Sequence, residues 1–152
     1  MQCAVIEAAR DLCGMKGAQS TEFDPKTKYP VIDLLKEQRK VKQVGGSMRL
    51  GTYPCKIKKG TKAHHIYGRT LIHERHRHRY ELNNRFRKQI ESAGLRVSGE
   101  YAGKRLAEIV ELKDHPWFVA VQFHPELQSR PLRPHPLFKH FVAASLAKAF
   151  AP

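Results

Sequence analysis

The chain has 152 residues, enough for one domain, and its 41% hydrophobic content excludes a largely disordered polymer. No run of about 18 apolar residues occurs, so no membrane-spanning helix is expected, and the opening Met1 to Ile6 lacks the basic stretch of a signal peptide. Lys and Arg number 28 against 14 Asp and Glu, a net charge of +14 that raises nucleic-acid binding as a possible role. The basic residues are spread from Lys16 to Lys148 and match no zinc-finger, RNP or basic-zipper pattern, which favours a solvated basic surface. Cys3, Cys13 and Cys55 are odd in number and irregularly spaced, which suits a reducing cytosol and no disulfide framework.

In chain order, Met1 to Cys13 reads as a helix with Val5, Ala8, Ala9 and Leu12 inward and Gly14 to end it. Ser20 to Pro25 reads as a short strand running into a turn. Tyr29 to Leu35 is a brief apolar stretch, and Lys36 to Lys42 a polar loop. Gly45-Gly46 introduces a strand over Met48 to Ile57, and Thr61 caps a short helix that Gly68 closes. From His73 to Leu82 the side chains alternate. This predicts one strand with His76, His78, Tyr80 and Leu82 on one face, and Arg75, Arg77, Arg79 and Glu81 on the other. Asn83 or Asn84 caps a helix with Phe86 and Ile90 inward, and Gly94 stops it. Leu95 to Gly99 and Arg105 to Leu112 form a hairpin about Ala102-Gly103, and Trp117 to Phe123 is an apolar run suited to a buried strand. Pro136 opens a last helix with Leu137, Phe141, Val142 and Leu146 inward. Residues 1–152 thus read as one α/β domain without repeats or linkers.

The chemistry-bearing motif is Phe123-His124-Pro125-Glu126, directly after the apolar strand. A histidine leaving a strand end points into the crevice where α/β sheets place their sites. Glu126, two residues on, can hold the imidazole in one tautomer. The pair supplies the base and the orienter of a nucleophile–base–orienter arrangement. His76 and His78 share a strand face near His64, His65 and His73, but no third ligand stands at a recognisable spacing, so no metal site is expected. Gly45-Gly46-Ser47 precedes a strand rather than a helix and is not a P-loop.

Trp117 to Glu126 resembles the end of a class I glutamine amidotransferase domain. Ser20-Thr21-Glu22-Phe23-Asp24-Pro25, Gly45-Gly46-Ser47-Met48-Arg49-Leu50-Gly51, Glu74 to Glu81, Ser129-Arg130-Pro131 and His135-Pro136-Leu137-Phe138 narrow the resemblance to the CTP synthase family. It covers nearly the whole chain. It implies a flavodoxin-like α/β amidotransferase fold, here incomplete and lacking its first strands. It also implies that His124 is the general base, that Glu126 orients it, and that Gln2, Glu22 and Arg79 bind glutamine. The Arg49 segment is associated in that family with activation by GTP, which makes Arg49 an allosteric candidate.

The family's cysteine stands three residues ahead of the methionine that matches Met1, so the nucleophile is expected outside these residues, and Cys3 is expected to serve packing. Ser47 stands where the family usually has threonine. The resemblance implies an enzyme that hydrolyses L-glutamine and uses the ammonia for ATP-dependent amination of UTP to CTP. ATP, Mg and the effector GTP belong to the whole enzyme, and no cofactor belongs to this segment. The implied partners are a synthetase domain, an upstream amidotransferase segment and further copies in a homo-oligomer, in the cytoplasm and without membrane or specific nucleic acid. The chain alone is then expected to be inactive. The alternatives are a non-catalytic binding module on the same scaffold and a basic nucleic-acid-binding protein.

Overall fold

The computed structural model describes residues 1–35 and 48–150. The expected polar loop at 36–42 and the Gly45-Gly46-Ser47 turn lie outside the described residues. Among the described residues four helices form: α1 (Gln2–Asp11), α2 (Lys62–Tyr67), α3 (Asn84–Ser92) and α4 (Pro136–Ala149). They alternate with eight strands: β1 (Gln19–Ser20), β2 (Pro30–Asp33), β3 (Arg49–Ile57), β4 (Leu71–His78), β5 (Glu81–Leu82), β6 (Leu95–Tyr101), β7 (Ala107–Leu112) and β8 (Val119–Val121). A 3-10 turn covers Pro125–Leu127.

The helix ends follow their sequence signals. The Thr61 hydroxyl accepts the His64 N–H at 3.0 Å, and Gly68 closes α2 in the left-handed region at φ 64°. Asn83, not Asn84, caps α3 by accepting from Arg85 N–H at 3.1 Å. His135 caps α4 by accepting from Leu137 N–H at 3.3 Å, with Pro136 at the first helical position.

The described strands form two sheets. A three-stranded sheet has the order β1-β2-β5, with β1 and β2 parallel and β2 and β5 antiparallel. A five-stranded antiparallel sheet has the order β4-β3-β6-β7-β8. The larger sheet curls until the chain leaving β8 reaches β4 at the opposite end. There His124 N–H donates to the Arg75 carbonyl at 2.9 Å, and the Gln128 amide donates to the His73 carbonyl at 3.2 Å. This curl brings the end of β4 and the end of β8 to the same place.

Two apolar cores result. One packs Val5, Ile6 and Ala9 of α1 against Val31, Ile32, Leu82, Phe86, Ile90 and one face of β6 and β7. The other joins Cys55, Ile57, Ala63, Ile66, Ile72, Ile109, Phe123 and Leu137. Burial of this kind contributes about 1.5–3 kcal/mol for each large aliphatic side chain. Buried ion pairs flank the cores. Glu111 accepts from the backbone N–H groups of Lys62 (3.0 Å) and Ala63 (3.1 Å) at the start of α2, and from Arg96 Nε at 2.9 Å.

Four expectations are corrected. The alternating segment breaks after His78, and β5 joins the other sheet. Glu81 therefore turns into the interior at 1% exposure instead of lying with the arginines. The strand within Trp117 to Phe123 is only half-buried, because β8 is bonded to β7 alone among the described strands. Leu12 is exposed, whereas Ile6 is buried in its place on α1. On α4 only Leu137 is buried; Phe141, Val142 and Leu146 are 52%, 54% and 52% exposed.

Candidate active site

Where the curl closes, the ends of β4 and β8, the first turn of α1 and the turn after β1 surround a cleft of about 590 Å³. Gln2, Glu22, Arg79 and His124 all line it, so four residues far apart in sequence meet at one place. The Glu22 backbone N–H donates to the Ser20 hydroxyl at 3.2 Å, and Thr21 Oγ1 donates to Asp33 at 2.8 Å, which fixes the turn that presents Glu22. Gln2 donates its side-chain amide to the Tyr80 carbonyl at 3.2 Å. Arg79 is half-buried, and its Nε is enclosed without a hydrogen-bond partner.

His124 sits at the mouth, one-third exposed, with Nδ1 2.6 Å from Glu126 Oε1. Glu126 itself is 56% exposed on its side chain and touches the cleft only through the imidazole. What little burial it has works in the other direction, yet the bond to His124 holds the Glu126 carboxyl below the usual carboxylate range. A carboxylate on Nδ1–H leaves Nε2 as the nitrogen that can take a proton, the geometry of an oriented general base.

Arg49 does not line the cleft. It is buried behind it, where its Nη1 donates to Glu81 at 3.0 Å and Glu108 at 2.7 Å, and its guanidinium stacks over Tyr53 and Tyr101. His78 Nε2 lies 2.8 Å from Glu81, and His76 Nε2 lies 3.3 Å from Glu108. Burial, then the nearby Arg49 cation, pushes His76 down to about 3, so its ring is neutral. Burial pushes Glu108 up to about 7 in spite of Arg49. His64, His65 and His73 do not join His76 and His78: His65 faces His140, and no group of three or more candidate ligands forms among the described residues.

Cys3 corrects an expectation. It is exposed and lines the same cleft, while the packing cysteine is Cys55, fully buried, where desolvation raises the thiol far above its ordinary value. Sequence reading also missed Gln122, which donates to the Tyr80 carbonyl at 2.8 Å and to Glu81 at 3.4 Å. Its signal was a single amide in an otherwise apolar run from Trp117 to Phe123.

A curled mixed α/β scaffold with an oriented His–Glu pair beside a cleft of carboxylate, guanidinium and amide groups is the arrangement of a class I glutamine amidotransferase domain. The family profile described as glutamine amidotransferase class-I matches residues 1–144, and the chain belongs to this family. Among its members the chain is similar to CTP synthases. It is 62% identical over 146 residues to the CTP synthase of Caldanaerobacter subterraneus subsp. tengcongensis, and 59% identical over 149 residues to that of Bacillus subtilis. Those matches cover 96% and 98% of this chain and 27% and 28% of the relatives, so the chain spans about a quarter of the curated relatives' length. The glutaminase domain of Trypanosoma brucei CTPS, solved with bound acivicin, superposes with a TM-score of 0.88 at 34% identity, covering 96% of this chain and 57% of that one.

Proposed function

We propose that this chain forms the glutamine-binding and proton-transfer half of the glutaminase site of a CTP synthase. The observation that carries the reading is the meeting of Gln2, Glu22, Arg79 and His124 in one cleft, with Glu126 on the far nitrogen of the imidazole. The carboxylate of Glu22 suits the α-ammonium of L-glutamine. The guanidinium of Arg79, with an unpartnered Nε, suits its α-carboxylate. The side-chain amide of the substrate is then left toward His124.

Covalent hydrolysis needs a thiolate that His124 deprotonates before it returns the proton to departing ammonia. None of the three cysteines fills that role. Cys13 and Cys55 lie outside the cleft, and Cys3 lies in the first turn of α1, beyond the strand-to-helix elbow that carries the nucleophile in the resembled family. The proposed thiolate comes from that elbow, so on this reading the 152 residues alone are expected to release no ammonia. In the whole enzyme the ammonia would aminate UTP in an ATP- and Mg-dependent step on a separate synthetase domain of a cytoplasmic oligomer, with GTP as effector.

The reading is tested by titrating the chain with L-glutamine and assaying ammonia. Binding is expected, with Glu22→Ala or Arg79→Ala each weakening it at least tenfold, and ammonia release should stay at the buffer rate. Binding that ignores both substitutions overturns the assigned pocket. Ammonia release abolished by Cys3→Ser makes Cys3 the nucleophile instead.

A further inference from the structure

We propose that Glu81 is a positioning residue for the cleft, acting through Gln122 and the Tyr80 carbonyl on the segments that carry Arg79 and His124. The inference rests on the glutamine reading above and concerns a residue that touches no substrate.

Glu81 stands where the two sheets meet. Its own strand, β5, belongs to the three-stranded sheet, while its carboxylate binds groups of the five-stranded one. Oε1 accepts from Arg49 of β3 at 3.0 Å and pairs with His78 of β4 at 2.8 Å, and Oε2 accepts from Gln122 at 3.4 Å, just past β8. The Gln122 amide faces two acceptors, Glu81 Oε2 and the Tyr80 carbonyl. Only its NH2 group can serve both, so its orientation is determined. Gln2 adds a second donor to the same carbonyl.

The peptide joining Tyr80 to Glu81 is therefore clamped from both sides. Arg79 precedes it by one residue, and His124 follows Gln122 by two. Arg79 Nε has no partner of its own, so its direction depends on the backbone that Gln122 and Gln2 hold. Glu22 rises from the turn after β1, in the sheet that contains β5. Glu81 thus fixes the spacing between the carboxylate side of the cleft and its arginine and histidine side. Arg49 is the buried counter-ion of this junction, with both rings of Tyr53 and Tyr101 against it.

The test uses the full chain, isotopically labelled, with Glu81→Gln and Gln122→Met compared with the unmodified protein by NMR and L-glutamine titration. Both variants should broaden or shift the Arg79 Nε–H and His124 ring signals and raise the half-saturating glutamine concentration about tenfold, the scale of one lost positioning contact. The Lys62 and Ala63 amide signals, held by Glu111, should stay in place and report an intact fold. If Glu81→Gln does not fold, those amides collapse as well. Gln122→Met, which keeps the Arg49–Glu81 pair, then decides. Arg79 and His124 signals unchanged in folded Gln122→Met overturn the proposal. If the unmodified chain ignores glutamine while both variants disturb Arg79 and His124, the substrate reading fails and the positioning role stands.

Discussion

His124 and Glu126 are joined at 2.6 Å, between Nδ1 and Oε1, across a single intervening proline. The proline opens a 3-10 turn that directs the Glu126 carboxylate back onto the imidazole, so two residues separated by one position form the pair within a single turn of chain. The curl of the sheet decides only what they face.

The first prediction follows from that pair. The Glu126 carboxyl should titrate below the ordinary value of about 4.3 in a carbon-detected NMR titration. His124→Ala removes the bond and should return the midpoint toward that value. A midpoint unmoved by the substitution means that the bond is absent in solution.

Glu108 behaves in the opposite sense. Arg49, Glu81 and His76 face it, and burial raises it to about 7. Between the unfolded value and that one, the folded chain binds the extra proton. Glu108 therefore contributes most below about pH 4, and its contribution falls as pH rises toward 7. Glu108→Gln should flatten the melting temperature across pH 5 to 8. A parallel pH dependence in the variant shows that Glu108 is not the titrating group.

Glu111 anchors the start of α2 and is fully buried, so Glu111→Ala leaves two backbone donors and Arg96 without their acceptor. The expected loss is about 3 kcal/mol in urea denaturation, the scale of breaking a buried charge pair. Burial works against ionisation, yet Lys62, Ala63 and Arg96 hold this carboxyl below its ordinary value. Its contribution is thus present at neutral pH and fades as pH falls through the depressed value. A loss under about 1 kcal/mol would contradict the anchoring role.

Gly99 lies where β6 crosses the second core. An added Cβ would stand 2.7 Å from Ile109 Cγ1 and 2.9 Å from Cys55 Sγ. Gly99→Ala should destabilise by about 1–3 kcal/mol through overpacking. Ile109→Val in the same chain should recover part of it, and no recovery places the strain in the backbone instead.

Local chemistry was legible in the sequence. Thr61, Asn83 and Pro136 mark helix starts through groups within three residues, and His124 with Glu126 forms a pair across one residue. The inward face of β4 follows from strict alternation of Ile72, Glu74, His76 and His78. The alternation fails at Glu81, because the break at Arg79 and Tyr80 resets which side faces in, and such a break carries no periodic signal. The apolar stripe of α4 is readable at helical spacing, but whether anything covers it depends on distant chain, and among the described residues only Leu137 is buried. The exposure of Cys3, the burial of Arg49 behind the cleft and the clamp of Gln122 on Tyr80 were likewise set by the curl of the larger sheet. The sequence determines which groups can do the chemistry, since capping and pairing act over one turn of chain. Their meeting is decided by contacts between residues up to 78 apart, which only the packed tertiary structure creates.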